Sequence, residues 1–242
     1  MSRIIIILLL LFSPAFLSSA FYKDTSPANH GEITATKASI VESVVTNLTH
    51  NLSKEGESPR KEILQMAVAG YFRLVEEGRI RNGRPLSIID FDKPSTEKRL
   101  WIIDMKNKIL KHHSLVAHGR NSGDLMAKKF SNKPSSYMSS LGFYLTGETY
   151  KGKHGHSLKL DGLEPGFNDL ARPRAIVIHS ADYAEESFIK STGRLGRSLG
   201  CPALPTENYE DIIELIKDKS CLFIYADDPA YKNRSEFLQQ AI

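Results

Sequence analysis

Leu86-Ser87-Ile88-Ile89-Asp90, Leu100-Trp101-Ile102-Ile103-Asp104 and the run from Ile109 to Val116 stand close together in a chain of 242 residues. Each is a short run of the β type, rich in apolar and branched side chains at Leu86 and Leu100 and more mixed from Ile109. Lys93-Pro94-Ser95 marks a turn between the first two, and Asp104 to Lys108 reads as the turn of a hairpin between the second and third. Downstream, Phe143-Tyr144-Leu145-Thr146, the alternating Ser157-Leu158-Lys159-Leu160, Ala175 to His179 and Leu222 to Tyr225 extend the series. One helix is expected among them, capped by Thr206, with Tyr209, Ile212, Ile213 and Ile216 on its apolar face. Many short strands with few helices predict a mainly β domain, sandwich or barrel-like, over residues 85–228.

Upstream of Leu86 the apolar period is helical. Ile40, Val41, Val44, Val45 and Leu48 form one stripe; Ile63, Leu64, Ala67, Val68, Tyr71, Leu74 and Val75 form a second. Ser58 is the expected cap of the second helix, with Pro59 in its first turn and Gly78 closing it. Residues 21–36 are polar and small and read as a mobile lead-in. The two helices make the whole α+β, with residues 21–84 as a helical preface and 229–242 as a C-terminal tail. Residues 1–20 read as a secretory signal: Arg3 leads an unbroken apolar run from Ile4 to Phe12, and Ser18 and Ala20 are small residues before a cleavage site. The apolar core is too short to span a bilayer, so the mature chain is expected in the periplasm or cell envelope, without membrane attachment.

A formal net charge of +4 is a mild excess that suits an anionic polymer such as cell wall, and no basic block with interleaved aromatics points to nucleic acid. The chain has two cysteines. In an oxidising compartment a pair of cysteines is by default a disulfide. Against that, Cys221 begins Cys221-Leu222-Phe223-Ile224-Tyr225, a stretch that reads as a buried strand, where a lone cysteine acts as a small apolar residue.

The other cysteine lies in Gly196-Arg197-Ser198-Leu199-Gly200-Cys201-Pro202, a turn of small residues, and His179-Ser180 ends the apolar run Ala175 to Ile178. A thiol nucleophile needs a base from another loop and an open backbone for the incoming carbonyl. Cys201 as nucleophile and His179 as base meet both needs. The N–H groups around Leu199, Gly200 and Cys201 are the expected oxyanion donors. Ser198, Arg197, His118 and His156 are candidates for supporting or substrate-binding roles. His112 and His113 read as surface strand positions. A rival reading takes His154, Asp161 and His179 as zinc ligands of a cell-wall peptidase, but a further downstream ligand pair is missing. A non-catalytic cell-wall binding domain is a third reading, and an exposed thiol argues against it.

Ser198-Leu199-Gly200-Cys201 with upstream His179 resembles the active site of L,D-transpeptidases of the YkuD type. Ser139-Ser140-Leu141-Gly142-Phe143-Tyr144 resembles the family segment that enters a core strand. His118-Gly119, Phe130-Ser131-Asn132, Lys153 to Leu158 and Leu160 to Leu163 match a divergent murein L,D-transpeptidase branch, and the likeness spans about residues 85–225. The resemblance implies a cysteine acyltransferase that acts on tetrapeptide stems of peptidoglycan, releases D-alanine, is acylated by carbapenems and uses no cofactor. Water in place of the acceptor amine would make it a carboxypeptidase. Two departures stand out. Pro202-Ala203 follows the cysteine where the family usually has an arginine two residues on, and Ser180 follows the histidine in place of glycine. Arg197, Arg194 and Arg120 are the candidates to replace the missing arginine.

Overall fold

The computed structural model describes residues 27–54 and 58–239. The expected signal segment, and residues 21–26 of the lead-in, lie outside the described residues. Two helices come first, α1 (Pro27–Lys54) and α2 (Lys61–Glu76). Eight strands follow: β1 (Leu86–Asp90), β2 (Leu100–Asp104), β3 (Ile109–Ser114), β4 (Gly142–Gly152), β5 (Gly155–Gly162), β6 (Val177–Ser180), β7 (Ala203–Leu204) and β8 (Cys221–Tyr225). A short helix, α3 (Glu186–Thr192), lies between β6 and β7, and α4 (Tyr209–Ile216) lies between β7 and β8. Two short helices, α5 (Pro229–Arg234) and α6 (Glu236–Gln239), end the described chain.

The strands form one sheet in the order β3-β2-β1-β8-β4-β5-β6-β7. β1 and β8 run parallel, as do β6 and β7, and the other neighbours are antiparallel. The two edges meet where the chain leaves β3. Ala117 N–H donates to Ala203 O at 2.8 Å, Ala203 N–H returns the bond at 3.4 Å, and the sheet closes on itself as a barrel. Full closure removes the exposed edges that an open sheet would carry. The mainly β, barrel-like architecture behind two helices is the one expected from the strand runs.

β1 and β8 are buried along their whole length, Ser87 and Asp90 of β1 included, so both strands are covered on both faces. α2 supplies one cover, burying Ile63, Leu64, Ala67, Val68, Tyr71 and Leu74. A Cβ on Gly70 would meet the Phe143 ring at 2.3 Å, so glycine lets β4 and the helix touch. Phe143 stacks on Phe223 at 4.2 Å and on Phe237 at 4.8 Å. Residues 229–239, expected as a tail, are thereby part of the core, with Tyr231, Phe237 and Leu238 buried.

Several local expectations change. The lead-in from residue 27 onward is helical, because α1 starts at Pro27 and runs through the Ile40 to Leu48 stripe. Ser58 does not cap α2; Arg60 occupies that position, makes no side-chain cap bond, and pairs with Asp90 and Asp92 instead. Thr206 does not cap α4: Asn208, in the left-handed region at φ 61°, precedes the helix, and both the amide and hydroxyl of Thr206 donate to Glu185. Gly78 does follow α2 with positive φ, as a helix stop should. His113 is not a simple surface residue, since its ring stacks on Trp101 at 4.8 Å. No described helix is long and apolar enough to cross a membrane.

Candidate active site

The reactive residues gather where β6, β7 and the turn before β7 meet. β6 begins at Val177, two residues later than the apolar run suggests, because Ala175 adopts φ 55° at the end of a turn. β6 pairs in parallel with β7, matching His179 to Ala203 and Ser180 to Leu204. Cys201 therefore lies just outside the ladder, level with Val177. Its Sγ accepts the Val177 amide at 3.5 Å, and its thiol points to Ala175 O at 3.7 Å. Burial pushes the Cys201 thiol up, while the Val177 amide and the charge of Arg174 pull it down. Both cysteines are free, and Cys221 is buried in β8 with its thiol raised by burial alone.

His179 is 4% exposed. Its Nδ1 lies 2.8 Å from Ser180 O, an acceptor only, so Nδ1 carries the proton and Nε2 keeps its lone pair. The ring makes no hydrogen bond with Cys201, whose sulfur is held by the backbone of Ala175 and Val177. His154, from the β4–β5 hairpin, stacks on the ring at 4.5 Å. Burial first, then the charges of His154 and Lys153, hold His179 below the ordinary histidine value, outweighing its bond to Ser180 O. The imidazole is neutral at pH 7 and able to take a proton.

The turn before Cys201 is locked by Ser198. Its Oγ donates to Cys201 O at 2.6 Å and accepts the Gly200 amide at 3.0 Å. The Gly200 N–H is thus committed to Ser198 and cannot serve as an oxyanion donor as expected. The amides of Leu199 and Cys201 donate to no protein acceptor among the described residues. Gly200 sits at φ 123°, open to glycine and costly for other residues. Ser139 Oγ donates to Gly200 O at 3.1 Å and accepts the Gly119 amide at 3.0 Å, tying the turn to a second loop.

His118 proves a buried wall residue rather than a substrate contact, with no exposed surface. Arg99, also fully buried, lies with Nη2 2.8 Å from His118 Nδ1. A guanidinium can only donate, so Nδ1 accepts and the Nε2 proton is directed to Gly123 O at 3.3 Å. Burial, then the Arg99 charge, pulls His118 down to about 4. Its carbonyl accepts the Ser198 amide at 3.0 Å, which connects this buried pair to the Cys201 turn. His156 is engaged elsewhere, bonding Glu214 of α4 at 3.0 Å.

The proposed arginine replacements are also occupied. Arg197 pairs with Asp124 at 2.5 Å, Arg194 donates to Leu195 O at 2.6 Å, and Arg120 lies over the Tyr137 ring. The arginine coupled to Cys201 is Arg174, which the motif reading missed. Its position directly before the run into β6 was the available signal. Asp161 does not join His154 and His179: Arg172 binds it through two nitrogens and also holds Glu148. Among the described residues no three His, Cys, Asp or Glu side chains are arranged to hold a metal.

A model of the L,D-transpeptidase catalytic domain matches residues 55–225. No curated protein matches. Among solved structures, an L,D-transpeptidase from Mycobacterium smegmatis is similar at 12% identity with a TM-score of 0.38, over 59% of this chain and 59% of its own length.

Proposed function

The chain belongs to the L,D-transpeptidase catalytic domain family, and on that premise we propose that it is an exported cysteine acyltransferase of peptidoglycan stem peptides. The observation that carries the reading is the His179 Nδ1 bond to Ser180 O, which leaves Nε2 as a base on the strand that holds the Cys201 sulfur. The Cys201 thiol gives its proton to Nε2, closing the present gap by rotation of the side chain. Sulfur then attacks the carbonyl carbon between the third residue of a tetrapeptide stem, a diamino acid, and the terminal D-alanine. The carbonyl electron pair moves to oxygen, beside the free amides of Leu199 and Cys201. On collapse the C–N bond breaks, the D-alanine nitrogen takes the proton from His179, and a thioester remains. An amine attacks that thioester and gives its proton through His179 to the departing sulfur, leaving a 3→3 cross-link. Water on the same path makes the enzyme a carboxypeptidase.

The test is mass spectrometry of purified protein mixed with tetrapeptide muropeptides. A protein adduct on Cys201, free D-alanine and a cross-linked or shortened product are expected. No adduct and no D-alanine release from folded protein would refute the reading.

A further inference from the structure

Arg174 is a half-buried cation held entirely by neutral oxygens. Nη1 donates to Ser131 O at 2.8 Å and Ser140 Oγ at 3.2 Å; Nη2 donates to Met138 O at 2.7 Å and Ser136 Oγ at 3.3 Å. No carboxylate bonds it among the described residues. Arg197 has Asp124 and Arg172 has Asp161 and Glu148, whereas the fully buried Arg99 donates, like Arg174, to neutral partners only. A charge withdrawn from water without a counter-charge is costly, so an anion formed close by would be stabilised by this guanidinium.

The surroundings identify that anion. A Cβ built on Gly200 would lie 2.7 Å from Met138 O and 3.4 Å from Arg174 Nη2, so the guanidinium backs directly onto the residue before Cys201. Ala175, next in sequence to Arg174, presents the carbonyl to which the Cys201 thiol points. We propose that Arg174 is the resident counter-cation of the Cys201 thiolate, a positioning residue that takes over the charge missing two places after the cysteine. The 131–140 loop holds both terminal nitrogens beside the turn, with Met138 O, an acceptor of Nη2, itself against Gly200. The charged and titratable groups that couple to Cys201 are Arg174 and Tyr183, and His179 lies two residues along β6 from the Val177 amide that bonds the sulfur. The Tyr183 phenol is pushed up to about 12, by burial first and by the Cys201 charge second, so it stays neutral and leaves Arg174 as the fixed positive charge.

This rests on Cys201 being the nucleophile, but it is tested on thiol chemistry alone. The experiment is the rate of iodoacetamide alkylation of Cys201 against pH, read by intact mass, in wild type, Arg174→Gln and Arg174→Lys. Each protein is measured at a temperature where its circular dichroism matches wild type. Arg174→Gln should move the midpoint of the profile upward by about one pH unit, a tenfold loss of reactivity on its rising limb. Arg174→Lys, which keeps the charge, should stay near wild type. The same midpoint in Arg174→Gln and wild type overturns the proposal. Equal upward shifts in both variants also overturn it, because they would trace the effect to lost loop bonds. If Arg174→Gln fails to fold, Arg174→Met takes its place as the neutral variant: an upward shift there with a wild-type midpoint in Arg174→Lys supports the charge role, and a wild-type midpoint in Arg174→Met overturns it. Wild-type protein that forms no thioacyl adduct with muropeptides would instead refute the reading of function, whatever the alkylation profiles show.

Discussion

The Arg99 guanidinium donates to Nδ1 of His118 in the interior of the barrel, and neither side chain has exposed surface. The pair stands one peptide away from the machinery, because the His118 carbonyl receives the Ser198 amide. His118→Ala should cost about 2 kcal/mol of stability, the loss of a charge-assisted bond and the stranding of a buried donor. Urea unfolding measures it. Acylation by the folded variant should be slowed less than in His179→Ala.

Acid should weaken the fold through the same residue. His118 is held near 4 in the folded protein, by burial first, against about 6.5 in the unfolded chain. The unfolded form therefore binds the proton first. The contribution is fully present above about pH 6.5 and is lost as pH falls toward 4, amounting to about 3 kcal/mol. His112 and His179 are lowered by burial too and act in the same direction. Unfolding curves from pH 7 to pH 4 should steepen this loss in wild type and flatten it in His118→Gln.

Cys201→Ser should abolish turnover, since a hydroxyl is far less ionised than a thiol. Cys221→Ser should keep most activity while losing about 1–3 kcal/mol, the cost of a hydroxyl buried in β8. Thiol alkylation should stop the enzyme with a single adduct, and EDTA should leave it active. Zinc-reversible loss on chelation would return attention to His154 and His179.

The acid limb of the acylation profile should fall below the ordinary histidine value of about 6.5, because His179 is held low. His154→Ala removes both a covering ring and a neighbouring charge. Its limb should shift upward toward 6.5. His179→Ala should acylate slowly at pH 7 and recover in part as pH rises through the thiol range, near 8.5 and above. An unchanged rate at pH 7 would remove His179 from the mechanism.

Much of this was legible because it depends on local pattern. The runs at Leu86, Leu100 and Leu222 carry adjacent apolar residues where a half-exposed strand would alternate, and strands covered on both faces need that. Gly200-Cys201 announced a tight turn, and its positive φ agrees. The rest depends on distant partners. Nothing near Thr206 says that Glu185 will claim its hydroxyl, so a good capping residue caps nothing. Gly200 looked like an oxyanion donor until the Ser198 hydroxyl, two residues away, took its amide. Arg174 lies far along the chain from Ser131 and Met138, and only the folded loop reveals that its charge has no carboxylate against it.

The barrel is shut along a short seam, where Ala117 and Ala203 exchange two bonds, the Ser198 amide donates to His118 O and the Arg120 amide donates to Ser198 O. On one side of the seam runs the segment with His118 and Gly119; on the other runs the turn with Ser198 and Cys201, and the two are bonded to each other. The seam that closes the ring and the turn that carries Cys201 are therefore one piece of structure, so any loosening of the closure moves Ser198 and Cys201 with it. In hydrogen exchange the amides of Ala117 and Ala203 should trade with solvent well before those of β1 and β8.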